Sequence, residues 1–161
     1  MKLAPFSIAE PQLFHLPDEA ATARLGALIA PQLKAGDVIC LHGGLGMGKS
    51  ALARGLIRAL TTPDQEVPSP TFTLVQSYET QAFEILHLDL YRLTDPEEAY
   101  ELGLDEARSH AVLVIEWPDR LGHLGFDDRL DISLEVPDIT NFPPAGGRVA
   151  RLRPHGGFRG R

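Results

Sequence analysis

Apolar residues recur along this chain with spacings that alternate between those of strands and those of helices. Residues 37–42 form a short apolar run typical of a strand, and the segment from Ala51 to residue 60 carries apolar side chains at helical spacing. A helix is predicted from Asp18, its capping residue, through about residue 33. Another is predicted to begin at Asp95, where a proline and two acids occupy the first turn.

The remaining apolar runs predict strands. Residues 72–79 and 83–90 are rich in β-forming side chains and predict a hairpin or a close pair. Residues 111–115 form a continuous apolar run, which is typical of a strand buried on both faces of a sheet. Residues 130–136 alternate and predict an outer strand, and residues 148–152 predict a last one.

A glycine-rich loop lies between the first predicted strand and its helix. Its sequence, Gly43-Gly44-Leu45-Gly46-Met47-Gly48-Lys49-Ser50, satisfies the phosphate-binding pattern G-x-x-x-x-G-K-[ST]. Glycine tolerates positive φ, so backbone N–H groups can turn inward toward phosphate oxygens. Lys49 is expected to bridge the outer phosphates, and Ser50 to place its hydroxyl on Mg²⁺. The alternative is a turn that caps an ordinary strand–helix unit, with Lys49 in solvent. The nucleotide-binding residues predicted in this loop are Gly44, Leu45, Gly46, Met47, Gly48, Lys49 and Ser50.

The order of these elements predicts an α/β fold with a mixed, mainly parallel sheet flanked by helices, as in P-loop nucleoside triphosphatases. We expect a single P-loop domain over residues 1–152. Residues 153–161 are rich in arginine and glycine and predict a flexible C-terminal tail. Contact of this tail with RNA or an acidic partner is the alternative to a solvated end.

Composition narrows the class of protein. With 161 residues and 43% hydrophobic content, the chain can bury the core of one domain. No apolar run approaches the length of a membrane span and no secretory pattern begins the chain, so we expect a cytoplasmic protein that binds no membrane. The net charge of −7 makes direct binding of DNA unexpected. The only cysteine, Cys40, is expected to pack in the core.

Two acids end apolar runs and are candidate catalytic residues together with Lys49. Asp89 and Glu116 each follow a predicted strand, and carboxyl ends of strands gather beside the ligand in open α/β sheets. We favour Glu116 as the Mg²⁺ ligand beside Ser50, because its strand is the more buried. Asp89 is expected to hold the metal's water or the attacking water. A surface carboxylate is the alternative for either acid.

Further candidates lie next to these acids. Trp117, the sole tryptophan, is expected to stack on a base or pack against a partner, or else to be a core aromatic. Thr71 lies in the stiff turn of residues 69–72, which is either a switch-like loop near the outer phosphate or a simple strand entry. Arg92 could contact phosphate or a partner's acid, or form an exposed salt bridge. His87 is expected to be structural.

These segments together resemble the TsaE family, the small bacterial P-loop ATPases of tRNA threonylcarbamoyladenosine biosynthesis. The resemblance covers about residues 17–152, in the family's order and spacing. Its SPTF, DLYR and EWP blocks are more specific than the glycine loop alone. Ser50 stands where the family usually has threonine, and Gly44 and Met47 also depart from its pattern. The segments that carry the resemblance are 43–50, 69–75, 87–93, 95–98, 101–104 and 115–118.

The resemblance implies a protein that binds ATP and hydrolyses it, weakly when alone. It implies help with threonylcarbamoyl transfer to the adenosine next to the anticodon of tRNAs. It also implies ATP and Mg²⁺ as cofactors, the TsaB–TsaD pair as partner, and contact with tRNA only through that complex. By motif, Lys49 and the loop amides would bind phosphates, and Ser50 and Glu116 would hold Mg²⁺. The other residues that it implies at the nucleotide are Asp89, Thr71 and Trp117.

The residues themselves leave two other functions open. A small-molecule kinase could use Asp89 as base and Arg92 as phosphate clamp, although no arginine-rich lid lies between Asp95 and Ser109. A nucleotide-gated binding module would need no useful turnover. A GTPase is disfavoured because the chain has no Asn-Lys-x-Asp segment. The sequence contains no motif that would recognise the adenine base, and residues 14–18 are the candidate lining of the adenine pocket.

Overall fold

The computed structural model describes residues 7–137 and 147–159. The strands are β1 Gln12–Leu16, β2 Val38–His42, β3 Val75–Glu79, β4 Glu84–Asp89, β5 Ala111–Glu116, β6 Arg129–Glu135 and β7 Arg148–His155. The helices are α1 Glu19–Ile29, α2 Lys49–Leu60, α3 Pro96–Tyr100 and α4 Leu104–Ala107, with short 3₁₀ helices at Ala30–Gln32, Pro118–Leu124 and Gly156–Phe158.

The strands form one seven-stranded mixed sheet in the order β1-β7-β6-β2-β5-β4-β3. β2 pairs in parallel with both β5 and β6, and β4 pairs in parallel with β5. The outer pairs, β3 with β4 and β7 with both β1 and β6, are antiparallel. The prediction of an α/β fold with a mixed sheet is therefore confirmed, with the parallel pairing confined to the four central strands.

Helices cover both faces at the middle of this sheet, which explains why β2 and β5 are apolar up to their last residues. Alternate residues of β2 enter two different cores, with Ile39 on the side of α1 and α2 and Cys40 on the side of α3 and α4. Burial raises the pKa of the Cys40 thiol to about 12, so this cysteine packs as an apolar residue, as predicted. None of the helices in the described ranges has both the length and the apolar character needed to cross a bilayer.

The two long helices pack closely against each other on one face. α1 begins as predicted at Asp18, whose side chain accepts a hydrogen bond of 2.8 Å from the backbone N–H of Ala21. α1 and α2 cross where Gly26 and Gly55 lie, and a Cβ atom at either glycine would meet backbone atoms of the other helix. The absence of side chains there lets the helices approach backbone to backbone.

The prediction that residues 130–136 form an outer strand is wrong. β6 lies inside the sheet, between β2 and β7. Its alternation has another cause: one face packs into the core of α1 and α2, whereas the other is only partly covered and carries polar residues. The core-facing residues are Leu130, Ile132 and Leu134, and the half-buried polar ones are Arg129, Asp131 and Ser133. β1, which no sequence pattern predicted, occupies the sheet margin beside β7.

The prediction of a flexible tail from residue 153 is wrong for residues 153–158. β7 continues through His155, and its last three residues pair with residues 129–131 of β6. The 3₁₀ helix that follows buries the ring of Phe158, which is 2% exposed in the same core as α1 and α2. An apolar anchor therefore holds this end of the chain in place. Residues 160–161 lie outside the described residues.

Candidate functional site

The glycine loop connects β2 to α2, as the sequence predicted. Gly43, Gly46 and Gly48 have positive φ angles of 146°, 77° and 111°. A Cβ atom at Gly43 would lie 2.8 Å from the carbonyl oxygen of Leu134, so both the backbone angle and the space require glycine there. The loop ends at Lys49, the first residue of α2, where a helix N-terminus favours an anion.

Lys49 is buried within the loop, with 5% of its surface exposed. Its Nζ atom donates hydrogen bonds to the carbonyl oxygens of Gly43 and Gly44, the latter at 2.9 Å. Nζ also lies 4.1 Å from the centroid of the Trp117 ring. Burial lowers the pKa of Lys49, although nearby carboxylates, led by Glu116, act in the opposite direction. The alternative of a solvated Lys49 is therefore wrong.

The two candidate acids lie side by side at the carboxyl ends of their strands. Asp89 of β4 is the register partner of Glu116 of β5, and both are buried, with exposures of 6% and 3%. The hydroxyl of Ser50 donates to Oε1 of Glu116 at 3.2 Å. Asp89 accepts from Thr71 Oγ1 and from the backbone N–H of Tyr91, each at 3.0 Å. The alternative of surface carboxylates is wrong for both acids.

His87 belongs to this site, although the sequence indicated only a structural role. Its Nε2 lies 2.7 Å from Oε2 of Glu116, and both side chains are buried. Its Nδ1 atom has no hydrogen-bond partner among the described residues. His87 precedes Asp89 by two positions on β4, and a strand places such residues on one face. That spacing was the available signal.

Aromatic and arginine side chains surround the acids. Trp117 has a left-handed backbone, with a φ angle of 58°, and its ring centroid lies 4.9 Å from that of Tyr91. Thr71 shares a hydrogen bond of 2.7 Å with Ser69. The guanidinium of Arg92 lies 4.4 Å from the ring centroid of Phe72, whose side chain projects into solvent with 82% exposure. Among the described residues, Arg92 is not part of the lining of the cleft around these acids.

One open cleft of about 600 Å³ joins most of these residues. The sequence-predicted residues that line it are Leu45, Gly46, Met47, Gly48, Lys49, Ser50, Thr71, Asp89, Glu116 and Trp117. Gly44 contributes the carbonyl acceptor for Lys49. Of the segment 14–18, Pro17 and Asp18 line the cleft. The rest of the lining was not predicted as part of a site, and it consists of Glu19, Thr22, Ala51, Arg54, Ser69 and Arg148.

The donor set in this cleft fits Mg²⁺ bound together with phosphates. Ser50 and Glu116 offer a hydroxyl and a carboxylate to one point, and Asp89 offers a second carboxylate beside them. Across the described part of the chain, no three His, Cys, Asp or Glu side chains form a metal cage. Mg²⁺ usually binds through one or two carboxylates, with water and substrate phosphates completing its shell.

The glycine loop, its buried lysine and the paired acids on adjacent parallel strands define an α/β protein of the P-loop-like class. Comparison with known families then places this chain more narrowly. Its residues 16–141 match the family model described as "Threonylcarbamoyl adenosine biosynthesis protein TsaE". The chain belongs to the TsaE family.

Individual relatives agree with that assignment. The TsaE protein of Rickettsia felis is 42% identical over 123 residues, which are 76% of this chain and 72% of the relative. That of Aquifex aeolicus is 38% identical over 122 residues, or 75% of this chain and 83% of the relative. The crystal structure of YdiB from Bacillus subtilis shares the fold, with a TM-score of 0.73 and 23% identity over 91% of this chain and 87% of that one.

Proposed function

We propose that this protein binds Mg·ATP in the cleft at the glycine loop and hydrolyses it to assist threonylcarbamoyl transfer to the adenosine next to the anticodon of tRNAs. A TsaB–TsaD pair would be its partner, through which it meets tRNA. Membership of the TsaE family supports the tRNA-modification role. The ATPase part of the proposal depends on the hydrogen bond of 3.2 Å from Ser50 Oγ to Glu116 Oε1. This bond joins the residue that follows Lys49 to the carboxylate proposed to bind Mg²⁺.

Phosphate binding would use atoms that the glycine loop presents. The glycine backbone angles let N–H groups turn toward phosphate oxygens, and the N-terminus of α2 adds the positive end of its dipole. The Lys49 ammonium now donates to two carbonyl oxygens of its own loop. A charged phosphate is the stronger acceptor, so the ammonium would transfer to it when nucleotide enters.

Ser50 and Glu116 would hold the magnesium ion. Mg²⁺, when bound, would neutralise charge on the outer phosphates. The Ser50 hydroxyl now donates to Glu116, and this hydrogen bond holds the two side chains together at the end of β5. The buried His87 fixes the other oxygen of that carboxylate. His87 would therefore act as a positioning residue for Glu116.

Asp89 would orient the water that attacks the outermost phosphorus. In that step a water oxygen bonds to phosphorus, the bond to the ADP oxygen breaks, and the water proton passes to an acceptor such as Asp89 Oδ2. Hydrogen bonds from Thr71 and from the Tyr91 backbone hold the Asp89 carboxylate in one orientation. A fixed carboxylate beside the metal ligands is the arrangement that the hydrolytic step requires.

The test measures Mg·ATP binding and phosphate release, alone and with TsaB–TsaD. Lys49→Ala should abolish binding, because a desolvated charge contact worth about 2–5 kcal/mol is removed. Lys34→Ala is the matched control, since Lys34 is an exposed lysine outside the cleft. Glu116→Gln should reduce Mg²⁺-dependent turnover more than nucleotide affinity.

Three outcomes would contradict parts of this proposal. Unchanged hydrolysis by Glu116→Gln would move the metal role to Asp89. Transfer of labelled γ-phosphate to a metabolite would replace the ATPase with a kinase. Normal tRNA modification by a variant without hydrolysis would leave a nucleotide-gated binding module. A pull-down with TsaB and TsaD, with and without ATP, tests the partner directly.

A further inference from the structure

Arg148 reaches the glycine loop from the side of the sheet opposite to the acids. It begins β7, and its Nη2 donates to the carbonyl oxygen of Gly46 at 3.3 Å. In the sheet, β5 and β4 lie on one side of β2, whereas β6, β7 and β1 lie on the other. The cleft therefore has two ends: an acid end at Asp89 and Glu116, and a second end at Arg148.

The second end is built from the start of β7 and the turn after β1. Leu16, the last residue of β1, is the register partner of Arg148, so Pro17 and Asp18 follow directly beside that arginine. Thr22 of α1 and Arg54 of α2 also line this part of the cleft. We call Pro17, Asp18, Thr22, Arg54 and Arg148 together the second end.

Arg148 differs from Arg54, the other cation of the second end, because no carboxylate among the described residues pairs with it. Asp18 caps α1, and Arg54 lies 3.8 Å from the carboxylate of Glu19. Within residues 7–137 and 147–159, Arg148 donates only to carbonyl oxygens, those of Gly147 and Gly46. Its Nε atom is buried there without an acceptor. The guanidinium therefore has both a free donor and a charge that no described carboxylate neutralises.

We infer that Arg148 binds the nucleoside part of the nucleotide, with its planar guanidinium against the ribose and base. This inference rests on the proposed function. A P-loop lysine reaches the outer phosphates and the hydroxyl after it reaches Mg²⁺, so the phosphate tail ends at the acid end. The nucleoside must then leave the loop toward the second end. A guanidinium is flat and stacks on aromatic rings, which an ammonium cannot do equally.

Stacking of Arg148 on the base should raise the affinity for nucleotides without making binding specific for one base. Every nucleobase has a π-face, so stacking on it does not depend on the groups at the edge of the ring. Arg148 should therefore strengthen the binding of ATP, ADP and GTP to similar extents. A ligand without a nucleoside should gain nothing from it.

The experiment compares dissociation constants for Mg·ATP, Mg·ADP, Mg·GTP and Mg·tripolyphosphate, the last being the same anion without a nucleoside. Arg148→Ala should raise the dissociation constants of the three nucleotides about tenfold each and leave that of tripolyphosphate unchanged. Arg148→Lys keeps the charge without the flat face and should also weaken the nucleotides. Arg153→Ala, an exposed arginine on the same strand, is the matched control and should change nothing.

Equal weakening of tripolyphosphate would make Arg148 a phosphate contact and overturn the inference. Full rescue by Arg148→Lys, or unchanged nucleotide affinity in Arg148→Ala, would also overturn it. Circular dichroism of each variant verifies that the fold is intact. Failure of the unmodified chain to bind ATP would instead refute the proposed function, and this inference with it. If the unmodified chain binds ATP, the results for the Arg148 variants test the inference alone, and the proposed nucleotide binding stands whatever they show.

Discussion

His87 and Glu116 place two ionisable side chains in contact, and only 1% and 3% of their side-chain surfaces are exposed. His87→Ala would leave the Glu116 carboxylate buried beside a cavity, so we expect the free energy of unfolding to fall by about 3 kcal/mol or more. Urea denaturation measures this loss. His110→Ala is the matched control, because His110 is 60% exposed and its pair with Glu84 is long, at 3.6 Å. Equal effects of the two substitutions would contradict the prediction.

Trp117 should report the movement of Lys49. The ammonium lies 4.1 Å from the indole ring, and Trp117 is the sole tryptophan. When phosphate draws the ammonium away, the field at the indole changes, so the fluorescence emission should change on titration with Mg·ATP. Lys49→Ala should remove that change. Constant emission at a nucleotide concentration that calorimetry shows to be saturating would contradict the prediction.

The residues of the site that carry a local sequence pattern are those that could be predicted. Lys49 and Ser50 belong to a continuous motif, and Asp89 and Glu116 each end an apolar strand. The role of His87 depends instead on β5, which follows it by more than twenty positions in sequence. Arg148 reaches the loop only because β7 lies on the far side of β6. Only the two-residue spacing of His87 and Asp89 on β4 indicates part of the first arrangement, and no local pattern indicates the second.

At the scale of elements, the crossing of α1 and α2 depends on two glycines. Alanine in place of a helical glycine usually stabilises a protein by about 1 kcal/mol. At Gly55, however, a Cβ atom would collide with the backbone of Ala23, so Gly55→Ala should lower the free energy of unfolding by about 1–3 kcal/mol. Urea denaturation again measures the change. Arg24→Ala, an exposed position of α1, should stay within about 0.5 kcal/mol, and stabilisation by Gly55→Ala would contradict the packing described.

The predicted elements agree with the structure where apolar runs are long, and differ where burial is one-sided. β2, β4, β5, α1 and α2 were all predicted near their observed positions. β1 was not predicted because its residues from Gln12 to Leu16 are mostly exposed or half-buried, so their alternation of apolar and polar side chains is weak. The prediction placed β6 at the edge of the sheet, but it lies inside. An interior strand with one polar face shows the same alternation of apolar and polar residues as an edge strand.

At the scale of the whole molecule, Asp131 ties three strands together. It accepts from His42 of β2 at 2.8 Å and from Arg129 of its own strand, and His155 of β7 lies 3.0 Å away. Burial alone would raise the pKa of Asp131, but the hydrogen bonds from His42 and Arg129 outweigh it. They hold the pKa of this carboxyl below its usual value of 3.8.

This shift predicts a pH dependence of stability. The folded protein binds the Asp131 proton more weakly than the unfolded chain, so the ionised group stabilises the fold above pH 3.8. That stabilisation is lost as the pH falls through the lower, folded-state pKa. Asp131→Asn should therefore be less stable than the unmodified protein at neutral pH, and the gap should shrink well below pH 3.8.

Urea denaturation at several pH values checks this gap. Glu135→Gln is the control on the same strand, because Glu135 pairs with Arg151 at the surface at 3.5 Å. A gap that persists unchanged in acid would show that Asp131 acts through its shape and not through its charge.

The C-terminal anchor has a practical consequence for anyone shortening this protein. Residues 153–155 supply the backbone hydrogen bonds to residues 129–131, and Phe158 fills the core beyond them. The residues after Leu152 are rich in arginine and glycine, so they invite removal. Their removal would leave unpaired backbone amides along β6 and an apolar cavity where Phe158 packs. Such a surface templates pairing with another chain, so the shortened protein should precipitate during purification.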